Sequence, residues 1–130
     1  MGDYGIWLMA PFGATAVLVF GVPQSPLAKP KNVIGGHMLT AMIGVVFSYY
    51  SADSAIMIGL AVGIAITLMI ITKTIHPAAG ANPILIIESG QSWDFLIMPV
   101  LAGTVFIVLS GFVARWFIQY LMDNKYKKTA

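Results

Sequence analysis

Four uncharged stretches dominate this 130-residue chain and restrict what it can fold into. Charged residues bracket the uncharged runs 4–28, 32–52, 54–72 and 95–114. An α-helix needs about 20 apolar residues to cross the hydrocarbon core of a bilayer, and each run is close to that length or longer. A soluble helix would place polar side chains on its outer face every few residues, and these runs lack them. The charge map therefore predicts an integral membrane protein.

Composition excludes several other classes of protein. The chain is 58% hydrophobic and 9% charged, against roughly 25% charged in an average soluble domain. Its lysines cluster at 29 and 31 and near the C-terminus, which is better explained by membrane orientation than by a nucleic-acid partner. With no cysteine, disulfides and thiolate metal sites are excluded. No constellation typical of an enzyme is present, so we expect no catalytic activity, no metal and no cofactor.

The pattern of apolar runs and prolines predicts an all-α, polytopic transmembrane helix bundle forming one domain over residues 1–130. Pro11 and Gly13 interrupt the first membrane segment, 4–21, which predicts an extended start and a short helix at 14–20. An irregular loop is predicted at 22–32 and a tight connection at 51–54. Further helices are predicted at 33–50, 55–73, 84–89 and 95–121.

The stretch HPAAGANP (76–83) breaks the apolar pattern where broken backbone is least tolerated. Such backbone survives at membrane depth only if it is buried in protein or lines a cavity. With the C-terminus placed in the cytoplasm by its lysines, the chain must cross the membrane between Lys73 and Asp94. The uncharged stretch 74–87 would reach only about 21 Å as a helix. An extended 76–82 followed by a short helix would complete the crossing.

An internal repeat supports this crossing. Positions 13–20 match 80–87, and at the same offset positions 32–36 match 99–103. Because the charge map gives the two matching segments opposite directions, we expect an inverted repeat of two discontinuous half-helix segments, as in many secondary transporters. The two repeat units are about 4–50 and about 55–121.

The two half-helix starts are the candidate substrate site. Helix N-termini carry free N–H groups and partial positive charge, which suit a small anion. The alternative is that these small residues only allow helices to cross closely, as Gly59 and Gly63 are expected to do in the helix 55–73. The candidate residues are Gly13, Ala14, Thr15, Gly80, Ala81 and Asn82.

His37 and His76 complete the candidate site, because they are the side chains that titrate near neutral pH. Either imidazole would bind an anion when protonated or relay a proton, and a structural hydrogen-bonding role is the alternative for each. Two histidines without nearby carboxylates fall short of a metal site.

Three segments resemble motifs of the HPP family of integral membrane proteins, namely APFGATAVLVFG (10–21), PLAKPKNVIGGH (26–37) and TIHPAAGA (74–81). The resemblance covers nearly the whole chain and implies a four-helix membrane protein. Plant plastid members are implicated in nitrite transport, which implies a small monovalent anion as substrate. The namesake His-Pro-Pro is His76-Pro77-Ala78 here. The family's usual further helix before the first motif is also missing from the pattern. Two interpretations of this difference stay open: a neighbouring subunit takes the place of that helix, or transport is impaired.

We therefore expect membrane transport of a small monovalent anion, nitrite or nitrate, through a site at the half-helix N-termini. The alternative is a non-transporting structural or accessory membrane subunit. Expected partners are the small inorganic anion, the lipid bilayer and further copies of this chain in a homo-oligomer. We expect a bacterial inner (plasma) membrane location with a cytoplasmic C-terminus. The choice between a channel and a proton-coupled carrier stays open.

Overall fold

The computed structural model describes residues 9–50 and 54–129 and is helical throughout most of that length. Parts of two predictions, residues 4–8 of the first segment and 51–53 of the tight connection, lie outside the described residues. The α-helices are α1 (Ala10–Ala16), α2 (Pro30–Tyr50), α3 (Ala55–Ile71), α4 (Asn82–Ser89) and α5 (Ala102–Thr129). Short 3-10 helices form Pro26–Ala28 and Pro77–Ala81, and π-helical segments form Val17–Gly21 and Leu96–Leu101.

The prolines begin helices here more often than they break them. Pro11 lies in the first turn of α1, and Pro83 lies in the first turn of α4. A proline is well tolerated there because its missing N–H would have had no intrahelical partner. The prediction that the helix begins at 14 is therefore wrong: α1 begins at Ala10 and changes to π-helical geometry at Val17.

The broken stretch is also more helical than predicted. We expected an extended backbone over 76–82, but only His76 is extended (φ −136°, ψ 104°), and the 3-10 helix Pro77–Ala81 follows at once. It leads directly into α4, which ends at Gly90 with the left-handed φ of 63° that glycine adopts without strain. The correction shortens this segment, since a 3-10 helix rises about 2.0 Å per residue and a strand about 3.3 Å.

The last predicted helix, 95–121, contains a break near its start and continues further than expected. Met98 has non-helical dihedral angles (φ −129°, ψ 115°) directly before Pro99. Proline cannot donate its backbone nitrogen to the helix ladder, which accounts for the break at this point. Beyond the π-helical segment, α5 runs without interruption to Thr129.

Helix α2 is the centre of the bundle and contacts α3, α4 and α5. Its residues Val33, Ala41 and Val45 are fully buried. The larger apolar cluster joins Ala41 and Val45 to Ile86 of α4 and Val100 of the last π-helical segment. A smaller cluster joins Val33 to α5 and the first π-helical segment.

The outer faces of α3 and α5 are apolar and exposed. Leu60 and Ile64 on α3 are 52% and 41% exposed, and Phe106 and Val113 on α5 are 71% and 64% exposed. A soluble monomer rarely exposes so much contiguous apolar surface. Among the described residues, Pro30–Tyr50 and Leu96–Lys125 are long and apolar enough to cross a membrane.

Two glycines let helices approach closely at matching places in the two halves of the chain. A Cβ added at Gly44 of α2 would lie 3.0 Å from Ile86 Cβ and 3.0 Å from Pro83 Cα. A Cβ added at Gly111 of α5 would overlap the side chain of Val19. The offset of the sequence repeat relates Gly44 to Gly111, and it also relates Val19 to Ile86. The same pairing of glycine and aliphatic side chain therefore occurs twice.

Gly59 and Gly63 do not make the close packing expected of them within the described part of the chain. Nothing lies within 4 Å of a Cβ built at either position. The open groove on this face of α3 has a volume of about 320 Å³.

The difference between these glycines predicts opposite effects of the same substitution. We expect Gly44→Ala to destabilise the protein by about 1–3 kcal/mol, because a methyl group overpacks the contact with α4. In the detergent-solubilised monomer, Gly59→Ala should stabilise the fold by roughly 0.5–1 kcal/mol, because alanine favours the helix and meets open space within one copy of the chain. Thermal unfolding in detergent, followed by circular dichroism, measures both. Equal melting temperatures for the two variants would contradict the packing described here.

Candidate functional site

Five buried polar side chains meet in the middle of the bundle, and together we name them the polar cluster. Each is at most 1% exposed. They come from three helices and from the extended residue before the 3-10 helix Pro77–Ala81. The polar cluster consists of Thr15, His37, Thr40, His76 and Asn82.

Thr15 is the hub of the polar cluster. Its Oγ1 atom lies 2.9 Å from the carbonyl oxygen of Pro11, 2.7 Å from His37 Nε2 and 2.9 Å from His76 Nε2. The two imidazole rings therefore meet at one hydroxyl, with their centroids 5.1 Å apart. The ring of Phe12 packs edge-on against the His37 ring on one side of the polar cluster, with 5.6 Å between the two ring centroids. A shared hydroxyl between two buried imidazoles fixes the orientation of both rings.

Asn82 determines the tautomer of His37. Its Nδ2 atom lies 3.2 Å from the His37 carbonyl oxygen, which only accepts hydrogen bonds, so the NH₂ side of the amide faces α2. The same nitrogen lies 3.0 Å from His37 Nδ1. An NH₂ group only donates, so Nδ1 accepts and the ring proton of neutral His37 is on Nε2, towards Thr15.

Thr40 completes the polar surroundings of Asn82. Its hydroxyl accepts from Asn82 Nδ2 at 2.9 Å and donates to the Gly36 carbonyl at 2.9 Å. Asn82 Oδ1, in contrast, is buried without a hydrogen-bond partner. Among the described residues, it is the one buried side-chain nitrogen or oxygen atom without a partner. Leaving such an oxygen without a donor costs about 1–3 kcal/mol.

His76 is held from its other side by the 3-10 helix Pro26–Ala28, which precedes α2. Its Nδ1 atom lies 2.9 Å from the Leu27 carbonyl oxygen, so Nδ1 carries a proton and donates it. Asn32 Nδ2 donates to the Ile75 carbonyl at 2.9 Å and attaches α2 to the same segment. A Cβ at Gly36 would lie 2.9 Å from both His76 Cβ and the Thr74 carbonyl oxygen. The absence of a side chain at Gly36 therefore allows His76 to lie against α2.

The structure brings together four of the eight predicted site residues by their side chains: Thr15, His37, His76 and Asn82. The other four, Gly13, Ala14, Gly80 and Ala81, lie on exposed or half-buried backbone.

The backbone amides in which we expected the anion to bind are used within helices. The N-cap of α1 is Met9, so the four positions whose backbone nitrogens lack an intrahelical partner are 9–12, and the amides of Gly13, Ala14 and Thr15 follow them. The Asn82 amide donates to the Ala79 carbonyl. Side chains, not free amides, are therefore the donors at this place.

Sequence reasoning missed Thr40 and the Leu27 carbonyl. Thr40 follows His37 by three residues, which places both on one helix face, so helical spacing would have found it. The Leu27 carbonyl carried no signal, because any residue type supplies a backbone oxygen.

The surroundings of the polar cluster supply little fixed charge. The described residues contain no group of three or more His, Cys, Asp or Glu side chains that would hold a metal ion. An open groove of about 390 Å³ lies between α1 and α4 and is lined by Pro11, Ala81 and the exposed Glu88, among others. This groove borders the two segments that hold Thr15 and Asn82.

Comparison with known proteins finds relatives that are themselves transmembrane proteins. The chain is 37% identical over 120 residues to a transmembrane protein of Dictyostelium discoideum, covering 86% of this chain and 42% of the relative. It is also 37% identical over 122 residues to a second transmembrane protein of that organism, covering 88% of this chain and 39% of the relative. The chain thus spans about two fifths of the length of these relatives. No solved structure matches.

A comparison with models of protein families assigns the chain to one family. The model described as "HPP, transmembrane region" matches residues 2–126, nearly the whole sequence. The match includes every helix that contributes to the polar cluster. The chain therefore belongs to the HPP family of transmembrane proteins.

Proposed function

We propose that this membrane protein transports a small monovalent anion, with nitrite as the expected substrate. The observation that supports the proposal best is the polar cluster, which is buried in a bundle of apolar membrane helices. Ionisable and strongly polar residues are costly at membrane depth and commonly mark a substrate or ion pathway. Nitrite as the substrate rests on the resemblance to plastid members of the family.

The donors of the polar cluster suit a weakly held anion. The Thr15 hydroxyl, the Asn82 amide and the imidazole N–H groups all donate hydrogen bonds but carry no fixed charge. A conducted ion must be bound well enough to enter and weakly enough to leave. Neutral donors meet both conditions better than a buried arginine or lysine would.

The inverted repeat that we propose gives these donors related positions. Thr15 and Asn82 are separated by the offset of the sequence repeat, so each half of the chain supplies one donor. The matching contacts of Gly44 with Ile86 and of Gly111 with Val19 support the same relation. In inverted-repeat transporters the substrate binds where the two halves meet.

A non-transporting structural subunit is the second candidate, and one observation favours it. Nearly every polar atom in the polar cluster already has a partner within the chain, and Asn82 Oδ1 is the exception. A fully bonded network rigidifies and specifies a core without any ligand. Measured transport distinguishes this role from the first.

We also propose a homo-oligomer that packs through α3. Its face with Gly59 and Gly63 is open, and small residues spaced by four allow two membrane helices to approach closely. A cytoplasmic C-terminus remains a prediction from the lysine distribution. A bacterial inner (plasma) membrane location remains a prediction as well.

The first test is anion flux in proteoliposomes. We expect nitrite to enter vesicles that contain the protein faster than protein-free vesicles, with sulfate excluded because the donors cannot compensate two charges. Stopped-flow or radiotracer uptake measures the rates. Absence of nitrite and nitrate flux under any gradient would favour the structural subunit.

The second test is Gly80→Leu. A Cβ at Gly80 meets nothing within 4 Å, so the bundle should assemble normally. The larger side chain would lie two residues before Asn82, on the segment along which we propose that the anion passes, and we expect at least tenfold slower nitrite uptake. Ala102→Leu, on an exposed position of α5, is the control and should transport like the native protein. Native rates in the Gly80 variant would place the pathway elsewhere.

A further inference from the structure

We propose that Thr15, His37 and His76 form a proton-binding site that takes up one proton, and that this proton accompanies the transported anion. The coupling rests on the proposed function, whereas the proton site itself rests on hydrogen-bond geometry alone. The key observation is that one hydroxyl group has three hydrogen-bond neighbours and only one proton to donate.

A threonine hydroxyl donates one hydrogen bond and accepts up to two. Of its three neighbours, the Pro11 carbonyl can only accept a hydrogen bond, so either the Thr15 hydroxyl donates to it or the two groups form no hydrogen bond. Each histidine Nε2 either donates or accepts according to its protonation. The protonation of the two rings therefore decides where the Thr15 proton points.

One arrangement is neutral. Asn82 donates to His37 Nδ1, and His37 Nε2–H donates to Thr15 Oγ1. The Thr15 hydroxyl then donates to His76 Nε2, and His76 Nδ1–H donates to the Leu27 carbonyl. This chain of four hydrogen bonds leaves both imidazoles uncharged.

A second arrangement holds one more proton. The added proton binds His76 Nε2, which changes from acceptor to donor, while Nδ1–H stays on the Leu27 carbonyl. The Thr15 hydroxyl rotates to the Pro11 carbonyl at 2.9 Å and accepts from both rings. The only covalent bond formed is Nε2–H of His76, and no heavy atom has to move.

A third arrangement, with Thr15 donating to His37 Nε2, is excluded by Asn82. It would put the His37 proton on Nδ1, facing the Asn82 NH₂ group at 3.0 Å. Two donors would then oppose each other in a buried place. The extra proton is therefore assigned to His76 and not to His37.

No other ionisable side chain of the surrounding elements, as far as the structure describes them, shares the buried site. Around His76 these elements are α1, α2, α3, α4 and the two 3-10 helices, with their flanking residues. The remaining ionisable side chains there are all exposed: Lys29, Lys31, Tyr49, Tyr50, Lys73 and Glu88.

The proton and the anion should therefore bind together. A buried, unpaired imidazolium is costly, and the polar cluster contains no carboxylate to compensate it. A small anion supplies the missing charge, so each ligand raises the affinity of the other by the same factor. One proton with one monovalent anion makes the transported pair electroneutral.

The proton site is tested by nitrogen NMR of the two histidines in the native protein, in nanodiscs over a pH series. We expect the Nδ1–H tautomer for neutral His76 and the Nε2–H tautomer for His37. On acidification, His76 gains its second proton first while His37 keeps its tautomer. Neutral His76 in the Nε2–H form, or His37 protonating first, would overturn the site.

Variants of Thr15 show whether the hydroxyl is responsible. Thr15→Val removes the acceptor of the protonated ring, and we expect His76 protonation to require at least a tenfold higher proton concentration. Thr15→Ser keeps the hydroxyl and should restore native titration. Thr67→Val is the matched control, because the exposed Thr67 hydroxyl also bonds the carbonyl four residues earlier. Native titration in Thr15→Val would overturn the role of the hydroxyl.

Coupling is tested separately by nitrite uptake with protein-free vesicles as the baseline for passive nitrous acid. An inward acid gradient of one pH unit should drive nitrite entry faster than passive nitrous acid enters protein-free vesicles, towards an accumulation of about tenfold, independently of membrane potential. Thr15→Val should reduce the entry rate to that of protein-free vesicles. Potential-driven flux without pH dependence would overturn coupling and leave the proposed function intact. No flux at all would overturn both, while the NMR result still decides the proton site.

Discussion

The hydroxyl of Thr15 is the point on which the rest of the bundle depends. It connects α1 to His37 on α2 and to His76 at the start of the broken stretch. Through the Leu27 carbonyl the same chain of bonds reaches the 3-10 helix Pro26–Ala28 before α2. Where water is absent, each of these groups would otherwise remain unsatisfied at a cost of several kcal/mol. The polar contacts therefore specify the relative placement of segments that apolar packing alone would leave free to slide.

Much of this arrangement could be predicted from the sequence, because segments that cross a membrane need long uncharged runs and rarely contain polar residues. Uncharged runs of about 20 residues indicated the long helices, and polar residues in an apolar chain indicated the site. Thr15 and Asn82 were selected at the expected half-helix starts, and His37 and His76 because imidazole titrates near neutral pH. The structure places the side chains of all four in contact. Family membership was likewise indicated by three motifs and confirmed by the match over residues 2–126.

The errors concern proline and long-range partners. Pro11 was interpreted as a helix breaker, but in a first turn it starts a helix, and the two cases have the same local sequence. The extended path expected for 76–82 came from a length argument that assumed a full crossing of about 30 Å between Lys73 and Asp94. The observed 3-10 helix followed by α4 is shorter than the extended path, so that assumption led to the wrong backbone. The meeting of Thr15 with both imidazoles joins residues 22 and 61 positions apart, and no local pattern encodes such a contact.

Helix α2 combines two tasks on one side of its surface. Gly36 and Gly44 admit neighbouring backbones, while His37 and Thr40 between them hold the polar groups. A sliding or rotation of this helix would therefore disturb steric fit and proton placement in the same movement. Steric fit and hydrogen bonding on this face of α2 are therefore not independent: a substitution that displaces the helix also separates His37 and Thr40 from their partners on α1 and α4.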